Sequence, residues 1–152
     1  LPIFDDEIEI EADAVRVRQL LHNLIRNAQE ALEGQADAQI EIAAGFVPGT
    51  DRGMAEISVT DNGPGIVAEL LPRLFEPYVT NKNKGTGLGL AIVRKLVEEH
   101  GGTVSAENIP PHGARLTVRL PVRARSTDMT GESRALWSDD KAERQLPTRS
   151  EA

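Results

Sequence analysis

The sequence predicts an α/β fold, a two-layer sandwich in which a mixed β-sheet carries helices on one face. Two observations predict it. Short segments alternate apolar and polar residues with a period of two, as in Gln39-Ile40-Glu41-Ile42 and Glu56-Ile57-Ser58-Val59-Thr60, the pattern of half-buried strands. Two longer stretches repeat apolar residues at helical spacing: Val17, Leu20, Leu21, Leu24, Ala28 and Ala31 in one, and Ile92, Val93, Leu96 and Val97 in the other. The two kinds of segment interleave along one chain, and a sheet covered by helices buries both sets of apolar side chains.

In chain order, residues 3–10 end in Glu7-Ile8-Glu9-Ile10 and read as a strand. Asp13 offers the N-cap of the first helix, and Gly34 is its natural stop. Two strands follow, separated by a loop with Pro48, Gly49 and Gly53, and the second runs straight into a glycine-rich turn at 61–65. Residues 66–87 show no sustained periodicity beyond a short helix at 70–75. An irregular crossing of that length inside a compact domain is usually functional. The second helix occupies 88–100 and is closed by Gly101-Gly102. Segments 103–107 and 115–120 read as a closing hairpin, with antiparallel pairing. Past Pro121 the periodicity stops. The expected division is therefore a folded domain at 1–121 and a disordered tail at 122–152.

Composition excludes several classes. The 152 residues are 39% hydrophobic and 27% charged, as in ordinary globular proteins, and no apolar run approaches the ~20 residues of a membrane span. With no cysteine, disulfide and thiolate metal sites are excluded, and the scattered His22, His100 and His112 do not suggest a zinc site. A net charge of -7 argues against a broad basic face for nucleic acid. An acidic chain that binds a polyphosphate must concentrate cations and N–H donors locally.

Four groups of residues carry chemistry. Asn23 and Asn27 stack one turn apart on the flank of the first helix's apolar stripe. Their amide oxygens suit a hard cation such as magnesium, although surface or capping asparagines show the same spacing. Asp61-Asn62-Gly63-Pro64-Gly65 follows a strand directly. Its glycines let the backbone approach a ligand and Asp61 offers an acceptor for an exocyclic amine, although the dipeptides also suit a plain turn. Lys82-Asn83-Lys84-Gly85-Thr86-Gly87-Leu88-Gly89 opens the second helix. Backbone N–H groups, lysines and a helix N-terminus coincide there, which favours a phosphate site over a bare hinge. Leu74-Phe75-Glu76-Pro77-Tyr78 places an aromatic pair just before that loop.

Together and in this order, the four groups resemble the asparagine box, first glycine box, phenylalanine box and second glycine box of bacterial sensor histidine kinases. The resemblance covers about residues 1–121. The run from Leu74 to Lys82, followed by Gly85-Thr86-Gly87-Leu88-Gly89-Leu90, is most similar to the nitrogen-regulation sensor kinases of the NtrY and NtrB type. The resemblance implies the Bergerat-type sandwich shared with gyrase, the Hsp90 chaperones and mismatch-repair ATPases, with ATP held under a lid. It implies ATP and Mg2+ as cofactors, with Asn27 as the magnesium ligand and Asn23 beside it as the catalytic pair. Asp61 would receive the adenine amine while Gly63 and Gly65 let the backbone close on the base, and Tyr78 would pack near the base or lid. Lys82, Lys84, Gly85, Gly87 and Gly89 would hold the triphosphate, with Thr86 as a hydroxyl donor and Thr80 and Leu88 in the same set. Gly113 and Thr117 fall in the last, less distinctive box, from which Thr117 joins the nucleotide set.

Two positions bear on reaction class. Related ATPases carry a water-activating glutamate where this chain has Asn23, and an amide cannot act as that base. This favours phosphoryl transfer over hydrolysis, the alternative reading. Many sensor kinases place a lysine where this chain has Glu30. None of the three histidines has the His-Glu or His-Asp context of a phosphoacceptor. The resemblance therefore implies a donor domain whose partner is a separate phosphoacceptor and dimerisation hairpin of the same kinase, with a response regulator downstream. It further implies a cytoplasmic, monomeric domain of a parent kinase that is often membrane-anchored. A third reading is a nucleotide-sensing module whose tail docks a partner through Ala135-Leu136-Trp137.

Overall fold

The computed structural model describes residues 8–49, 52–80 and 86–123. In chain order these form α1 (Ala14–Ala31), β1 (Ile40–Val47), β2 (Met54–Asp61), a 3-10 turn (Leu71–Arg73), α2 (Gly89–Glu99), β3 (Thr103–Asn108) and β4 (Ala114–Pro121). The strands make one sheet in the order β1-β2-β4-β3.

Every neighbouring pair in that sheet is antiparallel, the sense expected of its strand pairs, and the mixed character written into the expected sheet has no parallel pair behind it among the described strands. A parallel pair needs a crossover helix joining its two strands directly. Here α2 leads into β3, which turns back through a short hairpin, so β4 returns beside β2 in the opposite sense. The two-layer sandwich itself is as expected, with α1 over β2 and α2 over β3 and β4.

The core lies between the layers. Leu20, Leu24 and Ala28 of α1 and Val93, Leu96 and Val97 of α2 meet Val59, Leu116, Val118 and Leu120 from the sheet. On β4 the apolar Ala114, Leu116, Val118 and Leu120 alternate with outward Arg115, Thr117 and Arg119, so strand period decides which side chains reach the helices. α1 starts where Asp13 accepts a hydrogen bond from Val15 N at 2.9 Å, as an N-cap should. An ion pair between Arg16 and Glu99 ties the two helices together.

Two boundaries move. The helix expected at 70–75 is only the 3-10 turn Leu71–Arg73, and Pro77 opposes a longer one by disfavouring helical geometry at the residue before it. At the other end, Ile10 bridges Val122 and Glu9 O accepts from Arg123 N, so pairing continues two residues past the expected boundary. Most of the strand expected at 3–10, and the tail from 124 onward, lie outside the described residues.

Candidate functional site

A cavity of about 300 Å³ opens beside α1, between that helix, the end of β2 and the crossing that leads to α2. Asn23 and Asn27 each precede a core residue, Leu24 and Ala28, and one residue turns a helix by ~100°. That rotation takes both amides off the buried stripe and into the cavity wall, where Arg26 and Glu30 join them. Asp61 and Ala114, register partners at the ends of β2 and β4, line it from the sheet. Thr80, Thr86, Gly87 and Gly89 line the side next to the undescribed 81–85.

One wall atom is conspicuous. Asn23 Nδ2 is buried without a hydrogen-bond partner, an arrangement that costs about 1–3 kcal/mol unless an acceptor arrives. The first residue of α2, Gly89, faces the same amide: a Cβ there would sit 4.0 Å from Asn23 Oδ1. The N-terminus of α2, where backbone N–H groups have no partner within the helix and the helix potential is positive, therefore adjoins this wall.

Asp61 is the only buried charged residue among those described, at 4% exposure, and its Oδ1 accepts from Gly63 N at 2.9 Å. Asn62 next to it is a junction. Its Nδ2 donates to Asp37 O at 2.8 Å and its Oδ1 accepts from Gln39 N at 2.7 Å, while its carbonyl accepts from Gln35 Nε2 at 2.9 Å. His112 Nδ1 lies 2.8 Å from the same carbonyl and donates to it. Asn108 clasps the next stretch, accepting from Ile66 N at 2.7 Å and donating to Ile66 O at 2.8 Å. Gly65, at φ 83, lies so close that a Cβ would come within 2.9 Å of Asn108 Oδ1.

The base of the 79–86 loop is closed by the backbone. Tyr78 N donates to Gly87 O at 3.0 Å, and a Cβ on Gly87 would lie 2.7 Å from the Tyr78 carbonyl carbon. Arg26 Nε donates to Glu30 Oε1 at 3.1 Å, so the carboxylate that stands where many sensor kinases have lysine is matched by a guanidinium one turn away.

The structure brings Asn23, Asn27, Asp61, Gly65, Thr80, Thr86, Gly87 and Gly89 to one cavity. Gly63 does not line it but packs behind Asp61 against Ala31 O, and Leu88 lies behind Thr86, whose Oγ1 accepts from its N–H at 3.4 Å. Tyr78 is off the cavity lining and 77% exposed, and it meets the base of the loop through its backbone. Thr117 is corrected. It pairs with Ser58 and Ser105 on the helix-free face of the sheet, because strand alternation puts its neighbours Leu116 and Val118 inward. Lys82, Lys84 and Gly85 lie outside the described residues. Sequence reading missed Ile66, Leu70 and Leu74 as apolar walls and Asn62 and Asn108 as clasps. For the leucines, a four-residue spacing was the available signal.

Fold and site together define the class: a two-layer nucleotide-binding domain with an amide pair on one helix facing a glycine-rich helix start. Residues 12–124 match the profile of the histidine kinase-, DNA gyrase B- and HSP90-like ATPases. The sensor histidine kinase ZraS of Escherichia coli O157:H7 is 44% identical over 123 residues, covering 81% of this chain and 26% of that protein. The kinase/phosphatase NtrB of Rhizobium leguminosarum bv. phaseoli is 36% identical over 121 residues, covering 73% and 31%. Among solved structures, the nucleotide-free catalytic domain of histidine kinase ThkA superposes with a TM-score of 0.62 at 36% identity, covering 74% of this chain and 70% of that one. The chain belongs to the histidine kinase-, DNA gyrase B- and HSP90-like ATPase family, on its sensor histidine kinase branch. It spans about a quarter of the length of full-length relatives such as ZraS.

Proposed function

We propose that the domain binds Mg-ATP in the α1 cavity and donates the γ-phosphoryl group to a histidine on a separate phosphoacceptor hairpin. The observation that carries this reading is the buried, unpartnered Asn23 amide across from the N-terminus of α2. A phosphate oxygen supplies the acceptor that Nδ2 lacks, and the helix start favours the same anion. The donor set fits magnesium, since Asn27 and its neighbours offer amide and carboxylate oxygens, the ligands of a hard cation. When bound, that ion neutralises phosphate charge. Asp61, buried and already ordered by Gly63 N, presents its carboxylate for the adenine amine. Arg26 and the undescribed Lys82 and Lys84 supply local cations in a chain of net charge -7.

Transfer rather than hydrolysis follows from Asn23. An amide cannot take a proton from water, so the site positions and neutralises the phosphates without activating a competing nucleophile. An acceptor on another domain is supported by the similarity to proteins named sensor histidine kinases, and none of His22, His100 and His112 has an acceptor context. His100 in particular is occupied structurally, its Nδ1 donating to Leu96 O at 2.6 Å.

The test is incubation of the 152-residue chain with γ-labelled ATP and a separately made phosphoacceptor hairpin from a related kinase. Label is expected on the hairpin histidine. Measured ATP binding with no label on that histidine, or steady phosphate release by the domain alone, would overturn the transfer reading.

A further inference from the structure

The core side of the sheet extends past the helices. Ile40, Ile42, Ala44 and Phe46 of β1 pair with Asp61, Val59, Ile57 and Ala55 of β2, and directly opposed residues of antiparallel strands share a face. These β1 side chains therefore point to the core side, yet α1 packs over β2 and α2 over β3 and β4. Ile42 and Phe46 are left 52% and 54% exposed, with Ile40 at 36%. Single exposed apolar residues need no explanation, but a row along an edge strand does.

We propose that this stripe is the docking site of the chain's own C-terminal segment around Ala135-Leu136-Trp137. The first support is where the described residues end. Val122 N donates to Gly53 O at 3.4 Å, and Gly53 lies under the Phe46 ring, which an added Cβ would meet at 2.4 Å. The tail thus begins one strand away from the Phe46 end of the stripe. Residues 8–10 flank the chain on the other side, through the Ile10–Val122 bridge and the Glu9–Arg123 hydrogen bond, and are a strand further from β1.

The second support is reach. Twelve residues separate Arg123 from Leu136, enough to span up to ~40 Å when extended, whereas Ile40 to Phe46 covers ~20 Å of strand. The third is composition. Residues 124–152 are dominated by polar and charged types, and Leu136-Trp137 is their one pair of adjacent large apolar residues. An aromatic–aliphatic pair is the anchor that an isoleucine and phenylalanine stripe takes.

Trp137 is the only tryptophan in the chain, so fluorescence reports its environment alone. In the full 152-residue protein its emission is expected at shorter wavelength than in the urea-unfolded chain. Quenching by acrylamide is expected to fall about threefold or more relative to that chain, as for a mostly docked population. Ile42→Ser and Leu136→Ser should each restore full quenching. The second lies outside the described residues and so outside the core they form, and an unchanged urea midpoint for it checks that its effect does not come from misfolding. The proposal is overturned by a fully quenchable Trp137 in the unaltered chain, by protection that survives both substitutions, or by protection lost on dilution, which would mark a second copy as the occupant.

Discussion

Gly87 and Tyr78 hold the two ends of the 79–86 loop together at the level of single residues. Gly87 has φ 71, and an added Cβ would lie 2.7 Å from the Tyr78 carbonyl carbon. Neither the backbone angle nor the neighbour can give way cheaply, since the neighbour is itself main chain. Gly87→Ala is therefore expected to destabilise the domain by about 1–3 kcal/mol, seen as a lower midpoint in urea unfolding. An unchanged midpoint would show that the loop base is not held by this contact. The glycine was legible in the sequence as part of a phosphate loop, but its structural duty toward Tyr78 was not, because that contact joins residues nine apart across an aperiodic segment. Thr117 shows the opposite failure. Box membership placed it at the nucleotide, whereas strand alternation, readable from Leu116 and Val118, turns it to the other face.

Elements position the site through their ends. α1 brings its amide pair to the cavity because Leu20, Leu24 and Ala28 fix the helix's rotation on the sheet. The end of β2 is held by Asn62, which draws in Gln35, Asp37 and Gln39 from the α1–β1 connection and His112 from the hairpin. Asn62→Ala removes the side-chain half of that junction next to Asp61. The expected result is a stability loss of about 1–2 kcal/mol by denaturant titration, together with weaker ATP binding. Stability lost with ATP affinity intact would mean that the junction supports the fold but not Asp61. Helices and strands were legible because each carried its own period, 3.6 or 2, across many residues. Antiparallel pairing was legible for the closing hairpin, but not for β2 with β4, whose pairing sense depends on the route between them and is recorded by no single strand. The short helix expected at 70–75 shrinks to the turn Leu71–Arg73, and Pro77 just beyond it was a local signal against a longer one.

At the scale of the molecule, an acidic chain holds a site for a polyanion by local means: a helix N-terminus, an unmatched amide and a guanidinium, gathered between α1 and the start of α2. The ordered set of boxes made the cavity's membership largely legible, while its apolar walls, Ile66, Leu70 and Leu74, emerged only from packing. No group of three or more His, Cys, Asp or Glu side chains is poised for a metal among the described residues. The proposed magnesium site rests instead on the Asn27 amide and neighbouring carboxylate oxygens acting with the phosphates. Calorimetric titration of the 152-residue chain with ATP, with and without magnesium and repeated with Asn27→Ala, tests this most directly. The expected result is one site whose affinity rises with magnesium in the unaltered protein and no longer does so in the variant. One-site binding that ignores magnesium, or a magnesium effect that survives Asn27→Ala, would contradict it.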